Sequence, residues 1–234
     1  MNRDKWDARL ARILARLSAK QRRRIVELLG DPPSLAKLDA KFWDEAGAEW
    51  REELQPELER VYLEMAAEFL KGQTIGVDWA LVNKAASDWA RRYVFDLVKG
   101  INDNTRGALQ SKVGQWFETP TTLDSLRKNL APLFGPERAE MIAITEITRA
   151  ATMGEAATVN LLAEQGVEME AVWHTSNDEI VCYICGPANG KSEYDAIRQE
   201  PYYGATWKDL HPYGPPAHPR CRCVLGHRMK KHKV

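Results

Sequence analysis

Cys182-Tyr183-Ile184-Cys185 and, further on, His218-Pro219-Arg220-Cys221-Arg222-Cys223 decide how this chain is read. The two stretches hold all four cysteines of a 234-residue sequence. A Cys-x-x-Cys at the bend of a hairpin points two thiolates at one tetrahedral ion, and a second cluster returned by a loop can complete the shell. Cys182, Cys185 and Cys221 are assigned as ligands, and His218 and Cys223 compete for the fourth position. The ion expected there is a structural zinc.

Two disulfides would suit an oxidising compartment. The N-terminus, Met1-Asn-Arg-Asp-Lys-Trp6, opens directly into a charged helical pattern without the apolar core of a signal peptide, so a reducing compartment is expected. Paired cysteines there bind metal or do redox chemistry. A redox Cys-x-x-Cys would follow a strand at a helix start and would not need the second cluster. Metal is therefore the reading carried forward.

Outward from this staple, composition sets broad bounds. Hydrophobic residues make up 44% of the chain, enough for one or two cores. Lys+Arg and Asp+Glu both number 33, so no whole-chain attraction to nucleic acid is indicated. The charge is uneven, however. The first thirty residues are basic, with Arg9, Arg12, Arg16, Arg22, Arg23 and Arg24 on one segment, and the tail from Arg228 to Lys233 is basic too. Local DNA contact through the N-terminal segment is a candidate, whereas the tail reads as solvated surface. No apolar run approaches the ~20 residues that cross a bilayer, and no membrane partner is expected.

Upstream of the staple the periodicity is helical. Residues 2–29 carry Trp6, Leu10, Ile13, Leu14, Leu17, Ile25, Leu28 and Leu29 at three- and four-residue steps, with a break allowed at Ser18, and Gly30-Asp-Pro-Pro33 stops the helix. Ser34 is the expected cap of a second helix through Phe42-Trp43, and a third runs from about Glu49 to Lys71, its first turn placed near Pro56. Residues 79–99 form a helix whose stripe of Trp79, Val82, Ala86, Trp89, Tyr93, Val94, Leu97 and Val98 reads as core rather than as a stacking platform for bases. Gly100-Ile-Asn-Asp-Asn104 reads as a turn before another helix from Thr105 to Phe117. A cap at Thr121 or Thr122 starts a short helix from Leu123 to Leu133, and Pro136 opens a helix reaching about Gln165.

That last helix is rich in small residues, with Glu146, Arg149, Met153 and Asn160 near one face. The line suggests contact with polar backbone or a partner; the plain alternative is a solvated face with a weak Glu146–Arg149 pair. After Gly166 the texture changes. Met169–His174 reads as a strand, and Ser176-Asn-Asp178 as a turn in which Asp178 could orient the first cysteine pair. The segment from Gly204 to Pro219, with Pro212, Pro215, Pro216 and Pro219, reads as a stiff non-helical loop, and Cys221–Leu225 as a closing strand. The fold class is α+β, with a mostly α-helical N-terminal two-thirds followed by a small β-rich, Cys/His-stapled C-terminal unit that needs metal for stability. The expected division is an N-terminal helical region over 1–75 and a second domain over 76–234, made of a helical part 76–166 and the zinc-stapled β unit 167–226.

The order of these features resembles a known family. It runs Thr145-Glu146-Ile-Thr-Arg149-Ala-Ala-Thr-Met-Gly154, a strand ending at Trp173, Asp178-x-x-x-Cys182-x-x-Cys185, Gly190-Lys191, and Pro216-Ala-His218-Pro-Arg-Cys221-Arg-Cys223. This is similar to the phage head morphogenesis domain of the Mu F-like minor head proteins of tailed phages and prophages, over roughly residues 75–226. The resemblance implies a minor capsid protein that associates with portal or procapsid during assembly, present in few copies and located in the virion, with the bacterial host cytoplasm as its site of assembly. It implies Cys182, Cys185, His218, Cys221 and Cys223 as a structural site, supported by Glu146, Arg149 and Asp178. It also implies the N-terminal helices as the docking surface for portal or major capsid protein, and packaged DNA as a further candidate partner.

A non-enzymatic assembly protein is the expectation. The competing reading is a metal-dependent nuclease or hydrolase acting in DNA packaging or ejection, using His174, His211 or His218 with Asp178. No His-Asn-His run and no HExxH pair supports it.

Overall fold

The computed structural model describes residues 3–71, 76–119, 121–176 and 181–230. Helices α1 (Arg3–Leu29), α2 (Ala40–Leu70), α3 (Trp79–Glu118), α4 (Leu123–Leu130) and α5 (Pro136–Glu164) precede strand β1 (Met169–His174), two single-turn helices α6 (Cys185–Ala188) and α7 (Trp207–Leu210), and strand β2 (Val224–Met229). This is the expected order of a helical N-terminal part and a small sheet bearing the Cys/His cluster. No helix among the described residues is long and apolar enough to cross a membrane.

The fold divides into two compact units. One comprises Asp4–Glu57 with Asp88–Ala143, and the other Met1–Arg3, Leu58–Ser87 and Ile144–Val234. The first is all helical. Ile25, Leu29, Leu38, Phe42, Trp43, Leu109, Val113, Leu126, Leu130 and Phe134 form a single buried cluster within it. Glutamates of α2 meet cations of α1 in a ladder: Arg9 with Glu57, Arg16 with Glu53, Lys20 with Glu49 and Arg24 with Glu45. Three of the arginines that the sequence offers to DNA are therefore engaged inside the unit, and Arg24 also lies 5.1 Å over the Phe42 ring.

Helix lengths depart from expectation in two places. The helices expected on either side of residue 49 are one helix, α2, with Pro56 in its interior. Ser34 does not cap it. The Ser34 hydroxyl accepts from the Ala36 N–H in a turn, and the Asp39 carboxylate accepts the Phe42 N–H at the true start. Phe42, Trp43, Ala46, Trp50, Leu54 and Leu58 are all buried, so a continuous apolar stripe outweighs the single backbone bond that Pro56 forfeits. The expected turn at Gly100–Asn104 is likewise absorbed into α3. Asn102 is buried and its side chain accepts a 2.9 Å bond from Gln21, Ile101 is buried, and Thr105 donates to the Ile101 carbonyl at 2.7 Å. These contacts satisfy the polar groups that would otherwise favour a turn. Ser18 is buried within an unbroken α1.

In the second unit α2 and α5 cross almost in backbone contact. A Cβ built on Gly154 would lie 2.2 Å from the Tyr62 carbonyl oxygen, so only glycine fits there. After α5, Gly166 at φ +85° donates to the Ala163 carbonyl and turns the chain into β1. Strands β1 and β2 pair antiparallel in the register Met169↔Met229 to His174↔Val224. Residues 190–193 run along the other edge of β1, with Trp173 N donating to Lys191 O and Glu193 N to Ala171 O. The closing strand begins at Val224, three residues later than the expected Cys221, because Cys221 and Cys223 are held in the loop. The expected non-helical loop after Gly204 contains α7, which Thr206 and Asp209 start with a reciprocal capping box.

Candidate metal centre

Strands β1 and β2 bracket the whole excursion that bears the cysteines, and their pairing returns the second cluster to the first. Register His174↔Val224 sets Cys223 at the mouth of the sheet. Beneath it lies a core of Ala171, Trp173, Cys185, Ala188, Ile197, Tyr202, Trp207, Cys221, Cys223 and Leu225. Trp173 and Trp207 are fully buried with ring centroids 5.5 Å apart, and the Trp207 indole N–H donates to the Lys191 carbonyl. The Tyr202 hydroxyl donates to Ile184 O at 3.1 Å, which pins the turn between Cys182 and Cys185.

The sulfur and imidazole atoms converge. His218 Nε2 lies 3.1 Å from Cys182 Sγ and 3.4 Å from Cys185 Sγ, and Cys185 Sγ lies 3.9 Å from Cys221 Sγ. Cys182, Cys185 and His218 form one group and Cys185, Cys221 and Cys223 another, with ligand atoms in each within 4.8 Å, so Cys185 belongs to both. All four cysteines are free thiols. A tetrahedral zinc with bonds of about 2.3 Å to sulfur and 2.0–2.1 Å to nitrogen separates its ligands by about 3.8 Å for S···S and about 3.6 Å for S···N. The observed separations fit that scale, and these groups could hold a metal.

Local bonds favour ligation. His218 Nδ1 meets the Pro219 carbonyl at 2.8 Å; since a carbonyl only accepts, Nδ1 carries the proton and Nε2 presents its lone pair to the sulfurs. The Cys185 N–H donates to Cys182 Sγ at 3.4 Å. The crowded thiols also polarise one another. Hydrogen bonds from Cys185 and Cys223, then backbone N–H groups of Cys223 and Ala217, hold the Cys221 thiol down at about 2. Cys185 is pushed up, first by its bond to Cys221. Cys223 rises to about 12, with Cys221 and burial outweighing a bond from Cys185. Several thiolates at such distances repel unless a cation lies between them, and soft sulfur with one imidazole suits zinc.

Helix α5 secures the second cluster. The Thr148 hydroxyl donates to the Cys221 carbonyl at 2.7 Å, and the Thr145 hydroxyl accepts the Arg220 N–H at 2.9 Å. Arg220 has φ +63°, a left-handed conformation that costs a non-glycine residue about 1 kcal/mol, and bonds of this kind contribute about as much each. Arg3 donates to the Arg222 carbonyl at 3.0 Å and to the Thr148 hydroxyl, so the start of the chain ties down its last cysteine loop. Thr145 and Thr148 lie in the stretch that carries the family resemblance, but their bonds to the cysteine loop, and those of Arg3, do not follow from sequence. The signal available was a pair of hydroxyls one turn apart on a helix of small residues.

Glu146 is buried and pairs with Arg149 across one turn at 3.8 Å. Asp178 lies outside the described residues. His174 packs at the end of β1 over Gly226, where a Cβ would stand 2.7 Å from its Nε2. His211 packs between the rings of Trp173 and Tyr202, where burial lowers its pKa. The three histidines thus occupy three different settings.

A helical chain ending in a small sheet, with four cysteines and a histidine gathered in groups that could hold a metal, defines an α+β protein with a Cys/His cluster in its C-terminal unit. The family model described as "Phage Mu protein F like protein" matches residues 109–226, half of the chain, and the protein belongs to this family of phage head morphogenesis proteins. No curated protein matches the chain, and no solved structure does. The matched span takes in α5 with Thr145 and Thr148, β1, the first half of β2 and every candidate ligand.

Proposed function

We propose that this phage head protein is a minor, non-enzymatic capsid component that docks on portal or major capsid protein during assembly and stays in the virion, its C-terminal unit held shut by one structural zinc. The family match carries the head assignment. Two groups that share Cys185, Cys182–Cys185–His218 and Cys185–Cys221–Cys223, support the metal. In this reading Cys182, Cys185 and Cys221 are ligands, one of His218 and Cys223 is the fourth, and Glu146, Arg149 and Asp178 brace the surroundings. A site closed by four protein ligands leaves no open position for a substrate, which fits a staple rather than a catalyst. Residues 1–75 supply the docking surface, and 76–234 the morphogenesis domain with its stapled unit at 167–226. The bacterial host cytoplasm is where assembly takes place.

The test has two parts. Elemental analysis of protein purified without a metal-affinity tag is expected to give one zinc per chain, with thiols protected until a chelator is added. Heads assembled in cells expressing the chain are expected to contain it in few copies. Metal-free protein with four reactive thiols overturns the staple, and heads that never contain the chain overturn the assembly role.

A further inference from the structure

Within the all-helical unit, a groove of about 700 Å³ lies between the last turns of α1 and the α4 region. We propose that it is the docking site for an acidic, apolar-faced helical segment of another head protein. This rests on the assembly reading above and names the surface and the chemistry of the partner.

Val26, Leu123 and Phe134 give the groove apolar walls, and Arg22, Arg23 and Arg127 bring cations to it. The lack of a carboxylate partner sets Arg22 and Arg23 apart from four other cations of α1. Arg9, Arg16, Lys20 and Arg24 are each paired with a glutamate of α2. Arg22 and Arg23 make no hydrogen bond or ion pair among the described residues. Arg127 is exposed and feels Asp124 only through space, since Lys128 already pairs with that carboxylate at 2.9 Å. Arg22, Arg23 and Arg127 thus form a cluster of guanidinium groups with no hydrogen-bonded carboxylate among the described residues, beside apolar surface.

Two features favour a peptide over a nucleic acid. A phosphate backbone carries a charge at every step and calls for an unbroken run of cations, which Glu27 and Asp31 interrupt here, whereas a peptide can set its acidic residues against Arg22, Arg23 and Arg127 alone. The apolar walls reward burial of Leu, Met or Phe side chains, which a sugar–phosphate strand does not offer. A helix with apolar residues at three- and four-residue steps and Asp or Glu beside them matches both the walls and the arginines. Planar guanidinium groups suit carboxylates in two-point contacts.

The experiment is a display selection on the full-length protein, using a library of helical peptides about four turns long. The expected result is enrichment of peptides with an apolar face flanked by Asp and Glu. A resynthesised winner is expected to bind roughly tenfold more weakly to the Arg23→Glu/Arg127→Glu variant, as rim charges at interfaces do, and its Glu→Lys version to lose binding. Both positions are exposed, and an unchanged far-UV circular dichroism spectrum verifies the fold. The proposal is overturned if no sequence class is enriched, if the charge reversal leaves peptide binding unchanged, or if duplex DNA outcompetes the peptide for these arginines. Normal incorporation of the double variant into heads overturns the groove while the assembly reading stands. Failure of the wild-type chain to enter heads overturns that reading instead.

Discussion

The Thr148 hydroxyl donates to the backbone carbonyl of Cys221 at 2.7 Å and accepts from Arg3, so one buried side chain on α5 joins the two ends of the chain at the cysteine loop. Thr148→Val keeps the shape and removes both bonds, stranding a carbonyl beside a buried cysteine. A loss of about 1–3 kcal/mol in urea unfolding is expected. Faster thiol modification of Cys221 in the folded protein would place the loss at the loop, whereas unchanged modification rates would argue that Thr148 only fills space.

Gly154 tests the closest approach in the second unit. Gly154→Ala must push the Tyr62 backbone away, since the added Cβ would stand 2.2 Å from its carbonyl oxygen. Overpacking of this kind costs about 1–3 kcal/mol. Gly114→Ala in α3 is the control, because nothing lies within 4 Å of the added methyl; helix propensity there predicts a gain of up to about 1 kcal/mol. Thermal melts of the two variants should therefore move in opposite directions.

Metal removal should loosen the C-terminal unit alone. Cys182→Ser and Cys221→Ser are expected to expose residues 170–226 to limited proteolysis while helicity from residues 1–160 largely persists. Unchanged protease resistance in both would sink the staple. Protons compete with metal for the thiolates, so affinity for zinc should fall as pH drops below neutral. A zinc-release titration followed with a chromogenic chelator measures this, and a flat profile would argue against thiolate ligation.

The ladder between α1 and α2 should respond unevenly to salt. The Glu57 side chain is buried and takes both the Nε and the Nη2 of Arg9, whereas both partners of the Arg24–Glu45 pair stay solvated. Glu57→Gln is expected to lower the melting temperature more than Glu45→Gln. In 1 M salt, where screening acts within about 3 Å, the Glu45 effect should vanish and the Glu57 effect remain. Equal shifts at both salt concentrations would show that burial does not distinguish the pairs.

Much of this protein was legible in its local sequence. Apolar periodicity and Gly30 bounded α1 within a residue, Pro136 and Gly166 bounded α5, and alternation with Trp173 placed β1 at Met169–His174. The spacing of Cys182, Cys185, His218, Cys221 and Cys223 foretold their convergence, because clusters this short have little use apart. These signals are local: propensity, caps, turn residues and ligand spacing act within a few residues of where they are read. Tertiary structure decided what distant residues decide. Gln21 made Asn102 helical and fused two expected helices into α3, the buried stripe around Trp50 carried α2 through Pro56, and glutamates on α2 took up the arginines of α1. Thr145, Thr148 and Arg3 became supports of the cysteine loop only when pairing of β1 with β2 returned Cys221 to α5. A hydrogen bond across 73 residues leaves no periodic trace in the sequence, since its two partners are brought together by the packing of everything between them.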